Sequence, residues 1–128
     1  MSTEIRIVLE AGELSACIDD SPTATAIKDA LPLQGTVNRW GEEVYFAIPV
    51  KIEEAPDARQ EMGVGELGYW PMGTAFCIFF GPTPASTDSA PRAYSDVNPF
   101  GRIDAEETVL REILSEVKDG QVVRVVAA

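Results

Sequence analysis

Tyr69 and Trp70 stand side by side just before a Pro71-Met72-Gly73 turn. Five of the chain's ten aromatic residues and three of its nine prolines fall between positions 65 and 84. Neighbouring strand residues point to opposite faces, so one ring of the pair turns inward and the other can line a pocket. Aromatic surfaces hold apolar or proline-containing ligands by contact area. Phe46 and Phe80, in nearby apolar runs, could extend that surface. Arg39, directly before Trp40, could clamp a ligand carboxylate through two parallel hydrogen bonds. Asn98, beside Pro99, could orient a ligand with its amide, although turn chemistry accounts for it equally well. The expected ligand-binding set is Tyr69, Trp70, Phe80, Phe46, Arg39 and Asn98. Core packing competes for each ring, and surface pairing competes for the arginine.

The remaining reactive residue types suggest no reaction. The chain has no histidine, so it lacks the commonest general base and metal ligand. A Ser-His-Asp arrangement cannot form within it. Cys77 lies in an apolar run with no histidine to activate its thiol. Cys17 falls in a different expected strand, and two free thiols are expected rather than a disulfide. Glu42, Glu43, Glu66 and the group Glu53, Glu54, Asp57 and Glu61 could supply acid–base chemistry or hold a hard cation. No EF-hand spacing or paired-acid motif is present, so they read as solvated surface. Glu66 stands out only for its place two positions before Gly68. No catalytic residue, metal site or cofactor is expected.

The composition narrows the partners. The 128 residues are enough for one domain, and 45% of them are hydrophobic, so the chain can bury a core without a metal or disulfide staple. There are 21 acidic residues against 10 basic ones, a formal net charge of -11. Nucleic-acid binding rests on Lys and Arg displacing counterions, and an anionic membrane repels such a field in the same way. A small molecule or a peptide remains as partner. The N-terminus lacks the basic and apolar regions of a secretory leader, and no apolar run reaches bilayer length. A cytoplasmic protein is expected.

Short elements must position these residues. Residues 4–18 alternate with a period of two around Ala11-Gly12 and predict a β-hairpin. Ser21 and Pro22 open a helix as N-cap and first residue. Its apolar stripe is Ala26, Ile27, Ala30 and Leu31, and Pro32 stops it. Residues 35–40 and 43–48 predict two strands around a Gly41 turn, with Pro49 at a bend or edge. Residues 51–61 predict a strand end and a solvated loop.

Residues 64–80 predict the aromatic hairpin, with Gly73 free to take a positive φ. The run 74–80 is apolar on both faces, as for a strand covered by a barrel interior on one side and a helix on the other. Residues 81–98 read as the longest irregular stretch. Asp104 and Glu107 predict a capping box for a helix carrying Val109, Leu110, Ile113, Leu114 and Val117, with Lys118 in its last turn. Residues 121–126 close the chain as a β-branched strand. So many short strands with two helices predict a mainly β fold, a closed antiparallel barrel with about two flanking α-helices.

The runs Gly65-Glu66-Leu67-Gly68-Tyr69-Trp70-Pro71-Met72-Gly73 and Ala75-Phe76-Cys77-Ile78-Phe79-Phe80-Gly81-Pro82-Thr83-Pro84 resemble the signature of a small prokaryotic cyclophilin-like family of unassigned function. The order around them is similar as well: Ser21-Pro22-Thr23 into a helix, then the run from Arg39 to Phe46, then Asn98-Pro99-Phe100-Gly101-Arg102. The likeness covers nearly the whole chain and implies a single cyclophilin-like β-barrel domain spanning residues 1–128. It carries no reaction across. The Phe-His-Arg and Phe-x-x-Gln-Gly-Gly runs of prolyl isomerases of this fold have no match here, and the nearest stretch is Tyr45-Phe46-Ala47.

The leading expectation is a binding module that holds a small molecule or extended peptide in an aromatic groove. Peptidyl-prolyl isomerisation, with an arginine weakening the imide bond, is the alternative from another class. A regulatory subunit acting by contact is a third.

Overall fold

The computed structural model describes residues 2–128. Strands β1 (Thr3–Leu9) and β2 (Gly12–Ile18) form the expected N-terminal hairpin. Helix α1 (Pro22–Ala30) follows, with Ser21 Oγ accepting the Ala24 amide at 3.1 Å and Pro22 in the first turn. Its buried face is Thr23, Ala24 and Ile27. The segment expected as one strand from 35 to 40 is two, β3 (Leu33–Thr36) and β4 (Asn38–Trp40). They part at Val37, which is buried and bonds through both backbone groups to the stretch around Gly120.

Strands β5 (Glu43–Ala47), β6 (Arg59–Glu61), β7 (Glu66–Trp70), β8 (Ala75–Phe79), β9 (Arg92–Ile103) and β10 (Val122–Ala127) complete the sheet, with helix α2 (Glu107–Ser115) between the last two. All pairings are antiparallel, in the order β3-β10-β1-β2-β9-β7-β8-β5-β4, with β6 on β9. The fold is mainly β with two helices, as expected, but the ladder does not close. β3 meets β10 on one edge only. Its Gly35 stands against Phe46 and the Ala47 carbonyl of β5 without a ladder between them.

The main core fills one side of the sheet. It includes Ile5, Ile7, Ile18, Phe46, Leu67, Tyr69, Phe76, Ile78, Phe80 and Phe100, with Ile27 of α1 and Leu110 and Leu114 of α2. Phe46 stacks on Phe76 at 5.1 Å between ring centroids, and Phe76 meets Phe100 edge-on at 5.2 Å. Neither helix, each nine residues long, is long and apolar enough to cross a membrane.

Three local expectations are corrected. Residues 92–103 are the longest strand, although most of them were expected to be loop. Pro99 and Gly101 look like breakers, yet the register shift between Leu67 and Gly68 lets Phe100 bulge out of the pairing, so Pro99 sits where the ladder is already irregular. The capping box at α2 is absent. The Asp104 amide bonds to the Ser15 carbonyl at 2.8 Å and prolongs the β2–β9 ladder, so the N-cap moves to Glu106, with no side-chain bond. Strand β8 is indeed buried along its whole length, but no helix covers its outer face. Met62, Ala93 and Val97 of the β6–β9 region do, forming a second small core with Ala75, Cys77 and Phe79.

Candidate functional site

At the margin of this second core lies a cavity of about 250 Å³ lined by Trp40, Glu43, Tyr45, Trp70, Ala93, Tyr94 and Val97. Register brings these residues together. Trp40 pairs with Glu43 across the β4–β5 turn, and Tyr45 pairs with Cys77 of β8. Residues two apart on a strand share a face, so Glu43 and Tyr45 both look outward, away from the main core. Gly41 makes the turn possible. Its φ is +59°, and a Cβ there would stand 2.8 Å from Pro84 Cδ and 2.9 Å from Thr83 Cα. The N-terminal half of β9 bends across the outer face and supplies Ala93, Tyr94 and Val97. The Gln60 side-chain amide holds that half by donating to the carbonyls of Ala93 and Tyr94 at 3.1 and 3.3 Å.

Four rings form the walls. Tyr94 meets Trp40 at 6.0 Å and 72°, and Trp70 at 5.9 Å and 74°; Trp70 meets Tyr45 at 6.2 Å and 80°. All three contacts are edge-to-face, the geometry favoured by ring quadrupoles. Trp70 Nε1 donates to Ser95 Oγ at 2.7 Å. The Trp70 indole lies against Gly73, where a Cβ would come within 2.3 Å of the ring. Gly73 therefore serves close approach rather than the expected positive φ, which Thr74 carries at 50°.

Glu43 is the one carboxylate in this lining. It is 6% exposed, and its Oε1 has no hydrogen-bond partner. Burial pushes its pKa up to about 7, against a weaker lowering by the neighbouring Cys77 thiol. Burial, then the nearby carboxylate, also raises the Cys77 thiol well above its usual range, so Cys77 is held as an inert thiol.

The expected ligand-binding residues do not converge. Of the six, Trp70 alone lines this cavity. Phe46 and Phe80 are fully buried in the main core. Tyr69 is also buried; its hydroxyl donates to the Val50 carbonyl at 2.8 Å and accepts the Ile52 amide at 3.1 Å. Asn98 is buried beside it. Its Nδ2 donates to Thr23 Oγ1 at 3.1 Å and to the Glu53 carbonyl at 2.9 Å, and its Oδ1 accepts the Ala55 amide at 2.8 Å. Tyr69 and Asn98 thus fasten the 50–55 segment.

Arg39 is similarly engaged. Its Nε donates to the Gly41 carbonyl at 2.8 Å and its Nη1 to the carbonyls of Ser115 and Val117, each at 3.1 Å, with the guanidinium 5.0 Å from the Phe80 ring centroid. It supplies the cation at the end of α2 that was expected from Lys118. Arg39→Ala is expected to cost about 2 kcal/mol of stability in urea unfolding, because it removes charge-assisted bonds to carbonyls at a helix end.

Glu66 pairs with Arg59 and accepts the Gly63 amide at 2.9 Å. That pair borders a larger, more polar cavity of about 380 Å³. Both cysteines are free. No metal-ligand cluster occurs among the described residues.

The lining residues absent from the expected set are Trp40, Glu43, Tyr45, Ala93, Tyr94 and Val97. A signal for the first three was present in Trp40-Gly41-Glu42-Glu43-Val44-Tyr45: a two-residue turn pairs its flanking residues, and alternation then adds Tyr45.

Comparison with known proteins gives the fold its context. The solution structure of the hypothetical protein AF2241 from Archaeoglobus fulgidus is similar, with a TM-score of 0.80 at 37% identity over 99% of this chain and 95% of that one. McbB, solved in complex with tryptophan, shares the fold with a TM-score of 0.76 at 19% identity, over 96% of this chain and 44% of McbB. No curated protein matches. A family model described as cyclophilin-like matches residues 3–126, and the chain belongs to that cyclophilin-like family.

Proposed function

We propose that this chain is a binding module that holds a small molecule, or a side chain of an extended peptide, in the box formed by Trp40, Tyr45, Trp70 and Tyr94. One observation carries the reading: four rings meet edge-on around an apolar recess in the outer face of the sheet, and a single buried polar side chain sits within it. An apolar lining with a few placed polar groups is the usual make-up of a ligand site. The recess is slightly smaller than the usual range of about 300–1,000 Å³, which suits a compact group better than a drug-sized ligand. The complex of McbB with tryptophan lends support at the level of the fold only. A cytoplasmic location belongs to the same reading and accords with two unpaired cysteines.

Isomerisation has weaker support. Arg39, the donor it would need, already serves three backbone carbonyls.

Native mass spectrometry of freshly purified protein tests the binding reading. A retained small molecule or peptide is expected, and Tyr94→Ala should lose it. Tyr94 is 67% exposed, so the variant should fold. If the protein retains nothing, and NMR titration with free amino acids and indole moves no amide of residues 40–45, 70 or 93–97, the reading is wrong.

A further inference from the structure

We infer that the ligand of this box is a cation, an alkylated ammonium group of a small molecule, seated between the four rings with its charge against Glu43. The inference rests on the binding reading above and adds the chemical class of the ligand.

Aromatic ring faces are electronegative and attract cations lying over them, more strongly where water is excluded. Trp40, Tyr45, Trp70 and Tyr94 supply four such rings around one recess. Indole is the best of these faces, and the chain places both of its tryptophans here.

A neutral ligand would explain the rings, but it would leave the carboxylate unexplained. Glu43 is nine-tenths buried with an oxygen that bonds to nothing. A buried charge is costly unless it is paired, and no lysine or arginine lines the recess. The titratable groups facing Glu43 are Tyr45 on its own strand, Cys77 on β8 and Tyr94 on β9. None of them can be a cation. On the adjoining β4, Arg39 is turned to the end of α2. When Glu43 is ionised, a balancing positive charge therefore has to come from outside. An anionic ligand would meet the carboxylate at close range, and an acidic chain of net charge -11 raises the local concentration of cations around it.

Choline and its uncharged isostere 3,3-dimethyl-1-butanol separate the alternatives, because they share a shape and differ in charge. Trp40 and Trp70 are the only tryptophans, so emission excited selectively at tryptophan reports this site alone. At pH 8 choline is expected to change the emission saturably and to bind at least 10-fold tighter than the alcohol. Glu43→Gln should cut that preference severalfold, down to what the rings alone supply, while leaving the weak binding of the alcohol intact. Choline does not titrate in this range, so its affinity should also rise between pH 5.5 and 8 as the carboxylate ionises, and this rise should vanish in Glu43→Gln.

Equal affinity for the two probes, or choline binding unchanged in Glu43→Gln, would overturn the cation assignment and leave the aromatic pocket standing. No response to either probe would overturn it as well. The pocket itself would then be judged by the mass spectrometry described above.

Discussion

Glu43→Gln is expected to stabilise the protein by as much as about 3 kcal/mol above pH 8 and by almost nothing near pH 4. The Glu43 carboxyl is raised from 4.5 to about 7 by burial. At about 1.4 kcal/mol per pH unit, that difference amounts to roughly 3 kcal/mol. Below pH 4.5 the group is protonated in both the folded and the unfolded chain, and folding carries no ionisation penalty. Between pH 4.5 and 7 the unfolded chain releases the proton while the folded one keeps it, so stability falls as pH rises. Above pH 7 both are ionised, and the full cost of a buried, unpaired charge is present.

The amide is of similar size and never ionises. Urea unfolding of both proteins at pH 4.5, 6 and 8.5 should show the variant gaining on the parent across that window. A difference that does not change with pH would mean that the carboxyl is solvated, which contradicts its 6% exposure. The gain should also shrink when saturating choline is added to the parent.

Asn98→Ala is expected to cost roughly 3 kcal/mol or more. The substitution removes three hydrogen bonds from a fully buried side chain. Leaving a buried polar group without a partner costs about 1–3 kcal/mol, and two of the orphaned partners, the Ala55 amide and the Glu53 carbonyl, hold the 50–55 segment to β9. Hydrogen exchange should accelerate at Ile52 and Ala55 before the rest of the chain responds. Thr23→Val, which removes one bond of the same network, should cost about 1 kcal/mol. An Asn98→Ala loss below about 1 kcal/mol would show that the segment is held by its own packing instead.

Much of the fold was legible because simple periodicities carried it. The alternation of residues 4–18, the Ser21-Pro22 start of α1 and the turn after Trp70 each matched a local rule, and each element formed where the rule placed it. β9 was hidden because its identity is decided by neighbours. Asn98 and Pro99 look like a turn in isolation, but the first is satisfied by residues 43 to 75 positions away, and the second sits at an irregularity in pairing with β7.

The site was half legible for a related reason. Of the adjacent pair Tyr69 and Trp70, strand alternation sends only the second to the cavity while the first fastens a loop from inside. Glu43 reads as solvated surface in sequence because nothing local says that the bend of β9 will cover it. Tyr94 escaped for the same reason, since it belongs to the half of β9 that leaves the main sheet.

The partition of apolar residues into two unconnected clusters has a consequence for how such a protein can diverge. The large interior sets the architecture and tolerates little change, since each void or extra methylene there is felt by close-packed neighbours. The recess is bounded by partly exposed rings resting on the lesser interior, so swapping Trp40, Tyr45 or Tyr94 reshapes it while the architecture beneath stays intact. On the binding reading proposed above, one chassis can in this way be refitted for new chemical guests, with position 43 setting the preference between charged and neutral ones.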